Sequence, residues 1–466
     1  MKVTEINALR VAEAVNNREV SASSLIEEVI EHCKGLDNKV FSCLATEMAL
    51  EQAAAVDRKI KSGFNLPLAG VPLVIADDFS FRGMPLALAS SALQNYHPPL
   101  NAASVEKIVG AGAVVVGKTA VGDMGLDTVA GKSEGGTFFK ELLYKVRSGA
   151  AIAASCGCIL SLENDSSGMT RQSASRCGIF SLRPTPGRVS RYGLNLRSGS
   201  FDYPGFVATH LDDLAVLLQA STGYDERDIM TAVNSIQRDK YIHNSNPKEI
   251  TIGFCSSLTG FLDEEPAAAY EKMYLHCREN GFKTVDLTLD ILPEALRAFY
   301  VVAFAETSST LSRFDGIRFG MAVDSDDLEE YYFKTRRLTF GDEACRRSIF
   351  GTYLLSENSY ERYYKKAINI LNRTRQVFAE VLDQCDLLLF PLFKSVSPPD
   401  HLNFIQSYEE DIFTAPVNMA GLPSLAFPGG VQLITEPFGE EKLLALGEYF
   451  KTAAEETTRE SKEGEV

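Results

Sequence analysis

Two hydroxyls and a glycine stand together at Ser166, Ser167 and Gly168, between Asp165 and Met169. Serine beside glycine in a loop suits a backbone that cradles a polar group, because glycine lets main-chain N–H groups approach closely. A serine attacks only when a base takes its proton. The plainer role for the two serines is hydrogen bonding within their own loop. Met169 brings a thioether, which does not attack a carbonyl. Cys156, Cys158 and Cys177 lie in small-residue or apolar surroundings and read as core thiols. Cys156-Gly157-Cys158 has neither C-x-x-C spacing nor a second half, so neither a metal nor another cofactor is expected.

Several elements must position this loop. Helices are predicted at Asn7–Val15, at Leu25–Cys33 behind a Ser21 cap, and at Met48–Ser62. The apolar run Pro67–Ala76 reads as a buried strand. A helix over Ser104–Gly110 and a strand over Ala113–Gly117 form an α-then-β unit of parallel-sheet type. Ser148–Leu162 reads as a small-residue helix and Leu211–Thr222 as another. Strands are expected at Ile250–Phe254 and Thr284–Leu287 around a helix at Glu265–Glu279. Residues 290–380 are mostly helical, Asp386–Phe390 is a strand, and Val417–Pro428 is a turn plus strand. The alternation predicts an α/β fold with a mixed, twisted sheet covered by helices on both faces.

The bulk numbers narrow the class. The chain has 466 residues, 45% hydrophobic and 23% charged, with a net charge of −16. A surface this acidic repels phosphate, which disfavours direct binding to nucleic acid or an anionic membrane. Nine cysteines without regular spacing suggest reduced thiols. No leader-type apolar segment and no bilayer-length apolar run stand out, so a cytoplasmic location is expected.

From Pro67 onward the sequence resembles the amidase signature family, in particular its aminoacyl-tRNA amidotransferase A-subunit branch. The resemblance rests on P-L-A-G-V-P at 67–72, A-S-V-E-K-I-V-G-A-G-A-V-V-V-G-K-T at 103–119 and L-R-P-T-P-G-R-V-S-R-Y-G at 182–193. R-F-D-G-I-R-F-G at 313–320, G-D-E-A-C-R-R at 341–347 and P-V-N-M-A-G-L-P at 416–423 add to it. It implies the amidase signature fold, divided as follows. Residues 1–66 are N-terminal helices on the core, 67–230 the signature core, and 231–450 the rest of the same domain. A helical insertion falls at about 290–380. By composition alone, the acidic, polar stretch 451–466 is expected to be a disordered tail.

The family's chemistry uses a lysine, a serine on a cis peptide bond and a nucleophilic serine, with loop N–H groups holding the oxyanion. The family strand ends I-K-D; here it reads Ile75-Ala76-Asp77, so Ala76 takes the lysine position. The nucleophile loop G-S-D-T-G-G-S-I-R-Q-P-A becomes Glu163 to Ala174, with Met169 at the nucleophile position. Counted back without gaps, the cis-serine position falls on Lys145; a gap makes it Val146 or Arg147. On this reading all three catalytic positions are substituted, and Ala76, Lys145 and Met169 should converge on one pocket.

Arg347 and Asp411 match the arginine and aspartate that grip an amino acid's carboxylate and ammonium in the A-subunit branch, with inherited salt-bridging as the alternative role. Ser166, Ser167 and Gly168 complete the ligand-binding candidates. The resemblance thus implies a non-catalytic scaffold or an amino-acid- or amide-binding protein, with glutamine as a candidate ligand. Its alternative is an active amidase or glutamine-dependent amidotransferase subunit using relocated serine and lysine groups. Protein partners of the amidotransferase kind are expected.

Overall fold

The computed structural model describes residues 6–35, 40–126, 149, 157–232, 247–318, 320–396 and 404–463. Short runs rich in Val, Leu, Ile and Phe form one eleven-stranded sheet. The strands are β1 (Phe41–Leu44), β2 (Pro72–Ala76), β3 (Val114–Thr119), β4 (Leu160–Asn164), β5 (Phe180–Arg183), β6 (Pro204–Ala208), β7 (Thr251–Phe254), β8 (Lys283–Asp286), β9 (Leu387–Pro391), β10 (Ser424–Phe427) and β11 (Val431–Ile434). Their spatial order is β1-β3-β2-β4-β6-β5-β10-β11-β9-β7-β8. β2 runs parallel to β3 and β4, and β7 parallel to β8 and β9; the remaining pairings are antiparallel. The sheet is therefore mixed. Strands from both sides of residue 230 share it.

Helices cover both faces. They are α1 (Ala8–Asn16), α2 (Ala22–Lys34), α3 (Thr46–Lys61), α4 (Ala103–Gly110), α5 (Met169–Arg176), α6 (Leu211–Ser221), α7 (Glu264–Glu279), α8 (Leu292–Leu311), α9 (Leu328–Thr339), α10 (Asp342–Leu355), α11 (Lys365–Leu382), α12 (Phe404–Glu409), α13 (Ala415–Ala420) and α14 (Glu440–Glu463). Successive strand residues point to opposite faces. Along β9, Leu387 and Leu389 enter the cluster shared with α1–α4, α6, α7 and α14, while Leu388 and Phe390 enter the cluster under α8, α11 and α13.

Three expectations need correction. Leu160–Leu162 is strand rather than helix, because the segment is buried between β2 and β6 and pairs with both. Residues 148 and 150–156 of that predicted helix lie outside the described residues. Val417–Ala420 belongs to α13, which ends at Gly421 in the left-handed region, before β10 begins. Beyond residue 451 α14 continues as helix to Glu463, with Ala453 and Ala454 buried against the core, where composition alone predicts disorder. β1, β5 and β6 carry little sequence signal. Each is four or five residues long, and β6 opens on Pro204-Gly205.

Asp213 docks the N-terminal helices. Its carboxylate accepts the Ala8 N–H at 2.9 Å, which satisfies a free donor of α1. Burial raises the Asp213 carboxyl from 3.8 to about 7, against the opposing pull of the α1 amides. A carboxyl whose folded value lies above its unfolded value binds its proton more tightly in the fold. Its stabilising effect is thus complete near pH 4 and is lost as pH rises through 7. Between pH 8 and pH 5, the wild type should gain about 2–3 kcal/mol relative to Asp213→Asn in urea unfolding. Parallel pH profiles for the two proteins would refute this.

Candidate functional site

The site loop leaves β4 at Asn164 and enters α5 at Met169. Gly168 is its pivot. Its φ is +100°, and a Cβ there would lie 2.2 Å from the Thr414 Cβ, so position 168 admits only glycine without rearrangement. Asp165 is fully buried, and Gly205 on β6 makes room for it, since a Cβ at 205 would lie 2.9 Å from the Asp165 Cβ.

Asp165 organises the charged core beneath the loop. One carboxylate oxygen accepts the Thr170 N–H at 3.2 Å, capping the first turn of α5, and the other accepts Arg171 Nε at 2.8 Å. Arg171 then reaches across the fold to Gln432 Oε1 on β11 at 2.7 Å and to Asn418 Oδ1 on α13. Asn418 Nδ2 donates to the carbonyls of Asp165 and Ser166 at 2.7 and 2.8 Å. Gln432 Nε2 donates to the Pro391 and Phe413 carbonyls. Arg183 on β5 lies 3.7 Å from the Asp165 carboxylate. Burial pushes its guanidinium down to about 10, with Asp165 opposing that shift.

In front of the loop is a cavity of about 20 Å³. Its wall includes Ser166, Ser167, Met169, Arg197, Tyr300, Thr307 and Arg347. That volume holds about one water. Thr307 is fully buried, and among the described residues its hydroxyl has no hydrogen-bond partner. Gly168, Asp411 and Ala76 are not among the wall residues.

Among the expected trio, Met169 is on the wall, Ala76 closes β2, and Lys145 lies outside the described residues. Beside Ala76 is a lysine that the motifs alone do not single out. Lys118, on β3 opposite Ile75, is fully buried and ion-paired with Asp77 at 3.0 Å. It also donates to the carbonyls of Asp77 and Pro85 at 3.0 and 2.8 Å. Burial lowers the Lys118 ammonium from its ordinary value, and Asp77 works against that shift. The signal is present in V-V-V-G-K-T, a cation in an apolar strand, which has to be paired when buried. Next to it, Asp78 is held by Arg197 at 3.0 Å, and Arg197 reaches the cavity wall.

Arg347 and Asp411 both have partners inside the fold. Arg347 Nε donates to Glu343 at 2.7 Å and Nη2 to the Leu126 carbonyl at 3.1 Å. Tyr408 also donates to Glu343. Asp411 accepts from Gln172 at 3.0 Å and from the Tyr300 hydroxyl at 2.6 Å. Tyr300 lines the cavity, so it links Asp411 to the wall. Arg188, in the G-R-V-S-R-Y-G run, is buried against Glu440 at the start of α14.

The model of the family described as Amidase matches residues 24–137 and 148–444. The chain belongs to the amidase family. Ala76 and Met169 fall within the matched segments, whereas Lys145 lies in the unmatched interval 138–147. The glutamyl-tRNA(Gln) amidotransferase A-subunit of Natranaerobius thermophilus is 32% identical, over 95% of this chain and 94% of its own length. Its counterpart in Desulfosudis oleivorans is 33% identical, over 94% and 95%. The crystal structure of the Thermotoga maritima A-subunit superposes with a TM-score of 0.74 at 25% identity, covering 96% of this chain and 94% of that one. The fold is shared with 6-aminohexanoate cyclic dimer hydrolase, at a TM-score of 0.81 and 21% identity, covering 97% and 98%. Among the described residues no helix is long and apolar enough to cross a membrane, and no group of three or more His, Cys, Asp or Glu side chains is placed to hold a metal ion.

Asp165→Ala strands Arg171 and Arg183 as buried cations without their carboxylate. The expected loss is about 3–5 kcal/mol in urea unfolding. A loss under about 1 kcal/mol would show that the loop is held by other contacts.

Proposed function

We propose that this chain is a non-catalytic relative of the amidotransferase A-subunits, a protein that scaffolds partners on an inherited amidase frame. The observation that carries this reading is Met169, which opens α5 directly after Gly168 and lines the cavity with a thioether; the motif resemblance assigns this position to the nucleophilic serine. Losing one member of a catalytic unit of this kind costs about 10⁴- to 10⁶-fold in rate. Ala76, at the family's lysine position, extends the argument. Lys145 takes the cis-serine position when the motif is counted without gaps.

The internal bonds of Arg347 and Asp411 support scaffolding over amino-acid binding. Saturating glutamine should then leave the thermal midpoint unchanged, whereas a ligand at a hundred times its Kd would add about 2.7 kcal/mol.

The second reading is an active amidase or glutamine-dependent amidotransferase subunit with relocated groups. Near-full-length similarity to amidotransferase A-subunits favours it, as does the position of Ser166 and Ser167 on the cavity wall. Against it, Lys118 donates to the Asp77 and Pro85 carbonyls and is ion-paired with the Asp77 carboxylate, and it is not a wall residue. A fluorophosphonate probe separates the readings. Scaffolding predicts no labelling of the full chain. Labelling of Ser166 or Ser167 that disappears in Ser166→Ala or Ser167→Ala would establish the active reading.

A further inference from the structure

Cys33 and Cys158 are 125 residues apart in sequence, yet their Sγ atoms lie 3.5 Å from one another. Both are buried, at 2% and 1% exposure. Cys33 is in the last turn of α2, and Cys158 stands two residues before β4, the strand that ends at the site loop. A disulfide needs sulfurs about 2.05 Å apart, so roughly 1.5 Å of closing motion separates this contact from a bond. We propose that Cys33 and Cys158 are a peroxide-oxidisable dithiol, whose disulfide ties α2 to the central strand beneath the site loop.

The chemistry is balanced with hydrogen peroxide as oxidant. The Cys33 thiolate attacks one peroxide oxygen; the O–O bond breaks, and the leaving oxygen takes up a proton as water. The resulting Cys33 sulfenic acid is attacked by Cys158. The S–S bond forms, the S–O bond breaks, and the hydroxyl leaves as a second water with the Cys158 proton. Two thiols are oxidised by two electrons, and one peroxide is reduced.

Direction and selectivity follow from surroundings. The hydrogen bond with Cys158 lowers the Cys33 thiol from its ordinary value, outweighing burial, and the thiolate is the attacking form. Burial instead pushes Cys255 and Cys277 up to about 12 and Cys385 up to about 11, which keeps them protonated. Cys33 is the penultimate residue of α2, and helix ends open more readily than helix interiors, which admits a small oxidant. Among the described residues, no third or fourth ligand stands ready to turn the pair into a zinc site.

The test treats the reduced full-length chain with hydrogen peroxide, blocks remaining thiols under denaturing conditions and maps the peptides. The expected product is a Cys33–Cys158 linked peptide, lighter by two hydrogens and restored by dithiothreitol, with a higher thermal midpoint for the oxidised protein. Cys33→Ala and Cys158→Ala should each abolish both signals, while Cys43→Ala retains them. Full alkylation of Cys33 and Cys158 after peroxide treatment would overturn the proposal. So would a linked peptide joining Cys33 to Cys156, or a thermal shift that persists in Cys33→Ala.

Discussion

The pairing of Asp165 with Arg171 is the interaction on which the site region depends. Both side chains are fully buried, and neither is tolerable there alone, because an isolated buried charge costs several kcal/mol. Their hydrogen bonds spread outward. Asp165 caps α5 and takes the approach of Arg183, while Arg171 fixes Gln432 on β11 and Asn418 on α13. Four separate parts of the chain are thus held to one carboxylate. A buried network is worth its desolvation only when its members are satisfied together, so a change at one position is felt at all of them.

This arrangement separates the frame of the site from its chemistry. None of the residues that fix the loop touches the Met169 thioether through a polar bond, so the frame does not need a nucleophile at position 169. Gly168 is required by its positive φ and by Thr414, and Gly205 by the Asp165 side chain, whatever the loop does. Arg347, with Glu343 and Leu126, and Asp411, with Tyr300 and Gln172, are likewise fixed by internal partners. The residues that hold the loop in place are thus distinct from those that line the cavity beside Met169.

Much of this is legible in the sequence. Helices with clear caps and periodicity, such as α2 behind Ser21, fall within a few residues of their predicted bounds, and the mixed α/β architecture follows from the alternation of elements. Ser166, Ser167, Met169 and Arg347 stand out in the sequence and line one cavity. What escapes are contacts set by long-range geometry. Asn418 and Gln432 read as ordinary polar residues until Arg171 arrives from 247 and 261 positions away. Lys118 lies inside a recognisable motif, but its pairing with Asp77 depends on the register of β2 with β3. The strand β4 reads as helix because Ser148–Leu162 is rich in small residues, and small residues suit a close helix approach as well as a crowded central strand.

The proposed scaffold role requires that the chain not hydrolyse amides. The most direct measurement is ammonia release by the purified full-length chain from glutamine, asparagine and a simple primary amide. A scaffold releases ammonia at the uncatalysed rate from every substrate, unchanged by Ser166→Ala, Ser167→Ala or Lys118→Met. Saturable release above that rate, lost on substituting either serine, would contradict it.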